Sequence, residues 1–345
     1  MIMIGIDPHK ATHTAVAVDD REVVLGELTV RASTVQAERL CRWADNFEDR
    51  RWAVEAANGL GYLLAQQLVA AGEAVFDVPP VLASRVRILG SGKAQKNDPN
   101  DARSVAVAAL RSERLLQVRA DDHSRVIRLL VKRHRDIARL RNKHCVRLHA
   151  LLLEFIPGGI RGEITVAKAR DLLEQFPIND QVAHHRVLIA TELVDEIARL
   201  DAAMRASKRR VAAAVTASAT SLTKIHGVGP VIAAMIIAHT GDITRFPTRG
   251  HYASYNATAP IEASSGPRVR HRLNPRGNRQ LNWAIHTIAV TQLRYDTAGR
   301  RFYDRKVAEG KTTKEALRAL KRRLSDVVYR HLVADAHRRE QQRSR

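Results

Sequence analysis

The sequence predicts an α/β domain with a mixed sheet at the N-terminus, followed by a mainly helical and strongly basic region. Strand-like and helix-like patterns alternate through the first third of the 345 residues. Residues from about 122 to 215 form a long stretch of charged, helix-forming sequence with few Gly or Pro. Residues 1–110 hold 12 Lys and Arg against 14 Asp and Glu, whereas residues 111–345 hold 45 against 22. The basic part therefore suits a polyanionic partner, and nucleic acid is the simplest one.

The first elements of the predicted sheet are three strands joined by short polar turns, at residues 2–7, 13–18 and 23–30. They form a meander. A helix, a strand, a helix, a strand and a further helix follow, at 34–47, 52–55, 62–71, 74–78 and from residue 98 onward. This order of elements is that of an RNase H-like mixed sheet, and we assign it to a domain over residues 1–115.

Four carboxylates stand where this sheet would bring them together. Asp7 ends the first strand in IGIDPHK, and Glu55 ends a later strand in WAVEAANG. Asp98 and Asp101 open a helix in KNDPNDARSVA, three residues apart and so on one helix face. Ionised groups beside a buried sheet are costly unless they are paired or bind a metal. The set therefore predicts a two-metal site for phosphoryl transfer, with Mg²⁺ as the preferred ion and Mn²⁺ as the second choice.

Each of these acids also has an ordinary structural interpretation. Asp98 or Asp101 alone would suit a helix N-cap, and Glu55 alone would suit an exposed strand end. Only their conjunction favours a metal site.

Residues 116–215 are predicted as a helical region with two long helices. In the second, Leu193, Ile197, Leu200, Met204 and Val211 follow the spacing of a coiled-coil seam. A solvated helical hairpin remains as acceptable an interpretation as a dimerising or nucleic-acid-lining one.

Residues 216–345 are predicted as a mainly helical C-terminal domain that binds nucleic acid. Gly227 and Gly229 lie between two helical patterns, which is typical of a helix-hairpin-helix that binds phosphate through backbone N–H groups. A tight corner that needs glycine for positive φ is the alternative. Further on, a cluster of arginines surrounds two serines, one of which could be a nucleophile, although Ser-Ser-Gly is also simple turn chemistry: Ser264, Ser265, Arg268, Arg270, Arg272, Arg276 and Arg279.

Two cysteines are too few for a disulfide framework, and no apolar run is long enough to cross a membrane. The N-terminus lacks the order of a signal peptide. We therefore expect a cytoplasmic protein with no membrane partner.

The motifs together resemble the DEDD transposases of the IS one-ten (IS110) insertion-sequence group, with its IS eleven-eleven branch and the related Piv DNA invertases. The resemblance covers nearly the whole chain. It rests on IGIDPHK, AVEAANG and KNDPNDARSVA, and on HGVGPVIAAMIIAHTGDITRF, HYASYNATAPIEASSG and NPRGNRQLNWAI.

The resemblance implies a RuvC-like nuclease domain, a coiled-coil connection and a second domain that supplies a serine to a composite site. It assigns Asp7, Glu55, Asp98 and Asp101 to the metal, and Ser265 to the nucleophile, with Ser264 as the fallback. It further implies donor and target DNA as substrates, a structured bridge RNA as guide, a homo-oligomer from dimer to tetramer, and a bacterial or archaeal protein associated with the nucleoid. Many relatives have Gly and Lys after the Ser-Gly pair, whereas Pro267 and Arg268 follow here, so the loop is shaped differently while its positive charge is kept.

Two alternatives remain. A metal-dependent junction resolvase or nuclease would use the carboxylates to activate water, with Ser265 only binding phosphate. A non-catalytic DNA- or RNA-binding scaffold is disfavoured because it would bind better without the acids.

Overall fold

The computed structural model describes residues 1–91, 97–112, 115–262, 271–272, 274–275 and 277–343. The chain separates into two compact units, Met1–Asp121 and Asp122–Arg345. Among the described residues, every helix is too short or too polar to span a bilayer.

The N-terminal unit is built on a six-stranded mixed sheet. Its strands are β1 (Ile2–Pro8), β2 (Thr12–Val18), β3 (Val24–Arg31), β4 (Arg50–Glu55), β5 (Val75–Val78) and β6 (Leu116–Gln117). Their order is β3-β2-β1-β4-β5-β6, with β1, β4 and β5 parallel and the other pairings antiparallel. The mixed sheet predicted from the sequence is thus confirmed.

Helices cover both faces of this sheet. The helices α1 (Gln36–Ala44) and α2 (Tyr62–Ala70) pack on one face, together with Ile4 and Ile6 of β1. On the other face, the helix α4 (Asp98–Leu110) shares a core with Met3 of β1 and Ala53 of β4. Because successive strand residues point to opposite faces, Asp7 and Glu55 lie on the same side as Met3 and Ala53. The strand alternation therefore directs both carboxylates toward α4.

The helix α4 lies against β1 at very close range. A Cβ atom added to Gly5 would lie 2.2 Å from the carbonyl oxygen of Ala102 and 2.4 Å from the backbone nitrogen of Ala106. Only glycine on the strand and small residues on the helix allow this approach.

Two elements of the N-terminal unit escaped the sequence prediction, namely β6 and the helix α3 (Pro80–Ser91). The helix α3 leaves apolar residues exposed, with Ile88 at 67% and Leu89 at 82% of their surface. Its sequence therefore lacks the one-sided apolar pattern by which a surface helix is recognised.

The C-terminal unit begins with the two predicted long helices, α5 (His123–Leu152) and α7 (Gln181–Ala217), with the short helix α6 (Val166–Glu174) between them. Ion pairs between Arg141 and Asp201 at 2.5 Å, and between Glu154 and Arg186 at 3.3 Å, show that α5 and α7 run antiparallel. Ile197 of the predicted seam packs in the same core cluster as residues of α5. That seam residue is thus covered within the chain, and a coiled coil stays a prediction.

The remaining elements are a 3-10 turn (Leu222–Lys224), α8 (Pro230–Thr240), a second 3-10 turn (Ile243–Arg245), α9 (Arg249–Tyr255), the strands β7 (Ile261–Glu262) and β8 (His271–Arg272), α10 (Arg279–Leu293), α11 (Ala298–Ala308) and α12 (Thr313–Arg343). The core around α8 includes Ile127 of α5 and Val211 of α7. The predicted boundary between residues 215 and 216 therefore lies inside one shared core. Before Gly227 the chain forms only a 3-10 turn, so the helix-hairpin-helix stays a prediction.

Candidate metal and nucleic-acid sites

Asp7 and Glu55 meet at the end of two neighbouring parallel strands. The register pairs Ile6 with Val54, so the next residues, Asp7 and Glu55, lie side by side. Asp7 is only 6% exposed and Glu55 is half-buried. Two carboxyl groups that lie side by side and away from solvent resist joint ionisation.

The start of α4 resolves the alternative interpretation of the other two acids. Asn97 is the N-cap of α4, and its side-chain oxygen accepts a hydrogen bond of 2.9 Å from the backbone N–H of Asn100. Neither Asp98 nor Asp101 is therefore needed as a cap. Asp101 is 8% exposed, while Asp98 is exposed.

The acids perturb one another electrostatically. Burial is the largest cause that raises the pKa of Asp7, and the negative charges of Asp101 and Asp98 raise it further, while His9 opposes the shift. Burial also raises the pKa of Glu55, followed by the charges of Asp7 and Asp101. Because Asp7 and Glu55 resist ionisation together, a bound cation would favour their charged forms.

His9 joins this cluster, although the sequence analysis did not include it. Asp7, His9 and Asp98 each offer a ligand atom, and the three atoms lie within 4.8 Å of one another. Among the described residues, the buried Nδ1 atom of His9 has no hydrogen-bond partner, and it stands 3.7 Å from Oδ2 of Asp7. Carboxylate oxygens with one imidazole nitrogen fit a divalent cation such as Mg²⁺ or Mn²⁺. The signal for His9 in the sequence was its position two residues after Asp7 in IGIDPHK.

Arg87 is a second residue that the sequence analysis missed. From α3 its guanidinium Nη1 donates a hydrogen bond of 2.5 Å to Oδ1 of Asp101. Because the sequence analysis did not predict α3, it could not place Arg87 beside Asp101.

Asp77 of β5 supports the turn that follows Glu55. Its Oδ1 accepts a hydrogen bond of 2.8 Å from the backbone N–H of Ala57, and its Oδ2 accepts one of 2.8 Å from the side-chain amide of Asn58. Ala56, which lies between Glu55 and Ala57, has a positive φ of 48°. Asp77 thus holds a left-handed turn directly beside a candidate ligand.

The predicted nucleic-acid residues of the C-terminal unit are described only in part. Gly227 has a positive φ of 87°, as the corner interpretation requires, and Gly229 is the N-cap of α8. Arg272 lies in β8, and Arg279 is exposed at the start of α10. The others lie outside the described residues: Ser264, Ser265, Arg268, Arg270 and Arg276.

A Ser-His-Asp group in the C-terminal unit has a structural role. The Ser221 hydroxyl donates a hydrogen bond of 2.7 Å to Asp335, and it lies 2.8 Å from Nδ1 of His331. The backbone N–H of Ser221 also donates to Asp335, at 2.9 Å. Because the carboxylate binds the serine rather than the histidine, the group attaches α12 to the start of the 3-10 turn and lacks the order of a catalytic triad.

Two family models match the chain. One, described as a transposase model of the IS110 type with the DEDD motif, matches residues 4–157. The other, described as the transposase IS116/IS110/IS902 family, matches residues 219–304.

Known relatives of the chain are proteins of bacterial insertion elements. It is 27% identical to an insertion element IS116 protein of Streptomyces clavuligerus, over 95% of this chain and 94% of that protein. It is 36% identical to an insertion element IS110 protein of Streptomyces coelicolor, over 41% of this chain and 36% of that protein. Among solved structures, it is similar to RuvC of T. thermophilus in complex with a Holliday junction substrate, at 21% identity and a TM-score of 0.25, over 32% of this chain and 93% of that chain.

Proposed function

Because the chain belongs to the IS110/IS116 family of insertion-element transposases, we propose that it cuts and rejoins DNA strands at the ends of an insertion sequence and at a target site. The carboxylates of the N-terminal unit bind Mg²⁺ or Mn²⁺, and Ser265 is the nucleophile. A structured RNA guides the choice of DNA, and the active assembly is a homo-oligomer.

The observation that carries this proposal is the convergence of Asp7, Glu55, Asp98 and Asp101 at one end of the sheet. Two of them lie side by side on parallel strands, and the other two belong to the helix packed against the same face. Bound there, a divalent cation supplies Lewis-acid polarisation of a phosphodiester and stabilises the departing oxygen.

The residues of the chain then have separate roles. Asp7 and Glu55 hold the cation from the sheet, while Asp98 and Asp101 hold it from α4. The Ser265 hydroxyl attacks a DNA phosphodiester, which forms a phosphoserine bond and releases a DNA hydroxyl. Arg268, Arg270 and Arg272 neutralise the charge that develops on the phosphate.

The second candidate function is a metal-dependent nuclease without a covalent intermediate. The arrangement of the carboxylates favours it equally, because the same four acids could activate water. The two functions differ in whether protein stays attached to cut DNA.

Cleaved DNA should therefore be run on a denaturing gel before and after protease, and any linked peptide mapped by mass spectrometry. Ser265→Ala should abolish the adduct, while Ser264→Ala, its matched neighbour, should keep it. If wild-type protein cuts DNA without an adduct, the serine mechanism is wrong and the nuclease is the better account. An adduct that maps outside Ser264 and Ser265 would also contradict the serine mechanism.

The metal is tested separately from the serine. Asp7→Ala, Glu55→Ala and Asp101→Ala should each abolish recombination and weaken Mn²⁺ binding measured by calorimetry, while the fold survives. Glu27→Ala on β3 removes an acid outside the cluster and serves as control. Full activity in any two of the three variants would contradict the proposed site.

A further inference from the structure

A hollow of about 250 Å³ on the C-terminal unit is lined by Arg135 of α5 and by Arg279, Gln280 and Trp283 of α10. We propose that this hollow binds one unpaired nucleotide of a nucleic-acid strand, with its base stacked on the Trp283 indole and a phosphate bound by the two arginines. Small-molecule pockets span roughly 300–1,000 Å³, so this hollow has room for about one base.

Trp283 provides an open aromatic face. Its neighbours on α10, Leu281, Ala284 and Ile285, are fully buried, whereas Trp283 is 51% exposed. An aromatic ring that is only half covered leaves a large apolar area in water. Stacking of a base on such a ring contributes about 1–3 kcal/mol and requires a free base face, which a paired base inside a duplex does not offer.

The two arginines beside Trp283 carry positive charge. Within the described part of the chain, Arg135 and Arg279 make no ion pair, in contrast to Arg141 on the same helix α5, which pairs with Asp201. Arg135 is also half-buried. Two arginine forks without a carboxylate can each bind phosphate oxygens.

The surroundings of Arg135 support this concentration of charge. The pKa of His239, near the end of α8, is lowered to about 4 by burial and then by the charges of Arg128 and Arg135. His239 is therefore neutral at physiological pH. An anion bound near Arg135 would be attracted by the positive charge that Arg128 and Arg135 bring to this place.

Gln280 adds a polar group that can distinguish between bases. Its side-chain amide can donate and accept hydrogen bonds, as recognition of a base edge requires. The backbone N–H groups of Gln280 and Leu281 already donate to the Asn278 side chain, at 3.0 and 3.1 Å. Because these backbone N–H groups already have a partner, recognition of the nucleotide depends on the side chains of α10.

The test is a binding assay with full-length protein in EDTA, so that no cleavage is needed. Labelled oligonucleotides of 12 thymidines, of 12 uridines and a hairpin duplex are titrated, and anisotropy is recorded. Trp283→Ala should weaken binding of a single strand by about 5- to 150-fold and that of the duplex by less than about two-fold. Trp283→Phe should keep most of the affinity, because a stacking face remains.

The control variant is Arg318→Ala, which removes an exposed positive charge from α12. It should lower single-strand and duplex affinity equally, whereas Arg135→Ala should lower single-strand affinity more. A Trp283-dependent loss with the DNA strand or with the RNA strand supports the proposal and identifies the source of the nucleotide. Equal losses for strand and duplex, or binding of both strands by Trp283→Ala within about two-fold of wild type, would overturn it. Because no metal is present, either result is independent of the catalytic proposal.

Discussion

Gly5→Ala should separate α4 from β1 and so open the carboxylate cluster. The new Cβ would lie 2.2 Å from the carbonyl oxygen of Ala102, where ordinary contact begins near 3.4 Å, so the two elements must part by about 1.2 Å. The obstacle is backbone and cannot rotate away. Overpacking of this kind costs about 1–3 kcal/mol, or about 4 °C of melting temperature for each kcal/mol in a unit of this size.

The recombination rate of Gly5→Ala should fall even at temperatures where the variant is fully folded. Asp98 and Asp101 move with α4, whereas Asp7 stays on β1, and a misplacement of about 1 Å can cost on the order of 100-fold in rate. Melting curves, Mn²⁺ binding and a plasmid recombination assay would measure the three effects at a temperature where the variant is folded.

Gly26→Ala on the edge strand β3 is the matched control. There the added Cβ would meet Trp43 at an ordinary 3.5 Å, so melting, metal binding and activity should stay near wild type. A Gly5→Ala protein with wild-type metal affinity and activity would refute the argument that this contact positions the cluster.

Three further predictions follow from burial and charge. Asp7→Asn should raise the melting temperature of the metal-free protein at pH 7, because it removes a buried charge whose pKa is raised in the folded state. This gain in melting temperature should shrink as the pH falls toward 4. A gain that is independent of pH would contradict the buried charge of Asp7 as its cause. Glu73→Gln should destabilise the N-terminal unit by about 1–2 kcal/mol at pH 7 in urea unfolding, because the ion pair is only half-buried. Burial opposes ionisation of Glu73, but hydrogen bonds from Arg50 and Trp52 outweigh burial and lower its pKa. The difference in unfolding free energy between wild type and variant should therefore narrow as the pH falls below 4.5. A difference that stays constant with pH would exclude the ion pair as its cause. Nucleic-acid affinity should fall with salt at a log–log slope of about −5 to −9 for roughly 6–10 phosphate contacts, and an affinity that is flat in salt would contradict the basic interface.

Much of the N-terminal unit could be predicted from the sequence because its signals are local. Strand-like patterns identified β1 to β5, and an acid at the end of a buried strand is conspicuous. Alternation along each strand places Asp7 and Glu55 on one face. The order of three antiparallel strands before the helix and strand repeats then specified the mixed sheet.

The basic region was less accessible to such reasoning. The serine loop was identified by its motif and by resemblance alone, and Ser265 lies outside the described residues. Trp283 gave no signal in sequence, since one aromatic residue in an apolar helix is usually core. Its exposure depends on which face of α10 meets α8, and that is a property of packing.

The sequence by itself determined the strands β1 to β5, the division of charge and the choice of four acids as candidate ligands, but it missed α3 and β6. Only the tertiary structure decided that Asn97, and not Asp98, caps α4, and that His9 and Arg87 join the cluster. The physical reason is distance along the chain. Periodicity and capping arise from neighbours within a few residues, whereas this site forms where α3, α4 and two strands meet. The close approach at Gly5 sets the distance between α4 and β1.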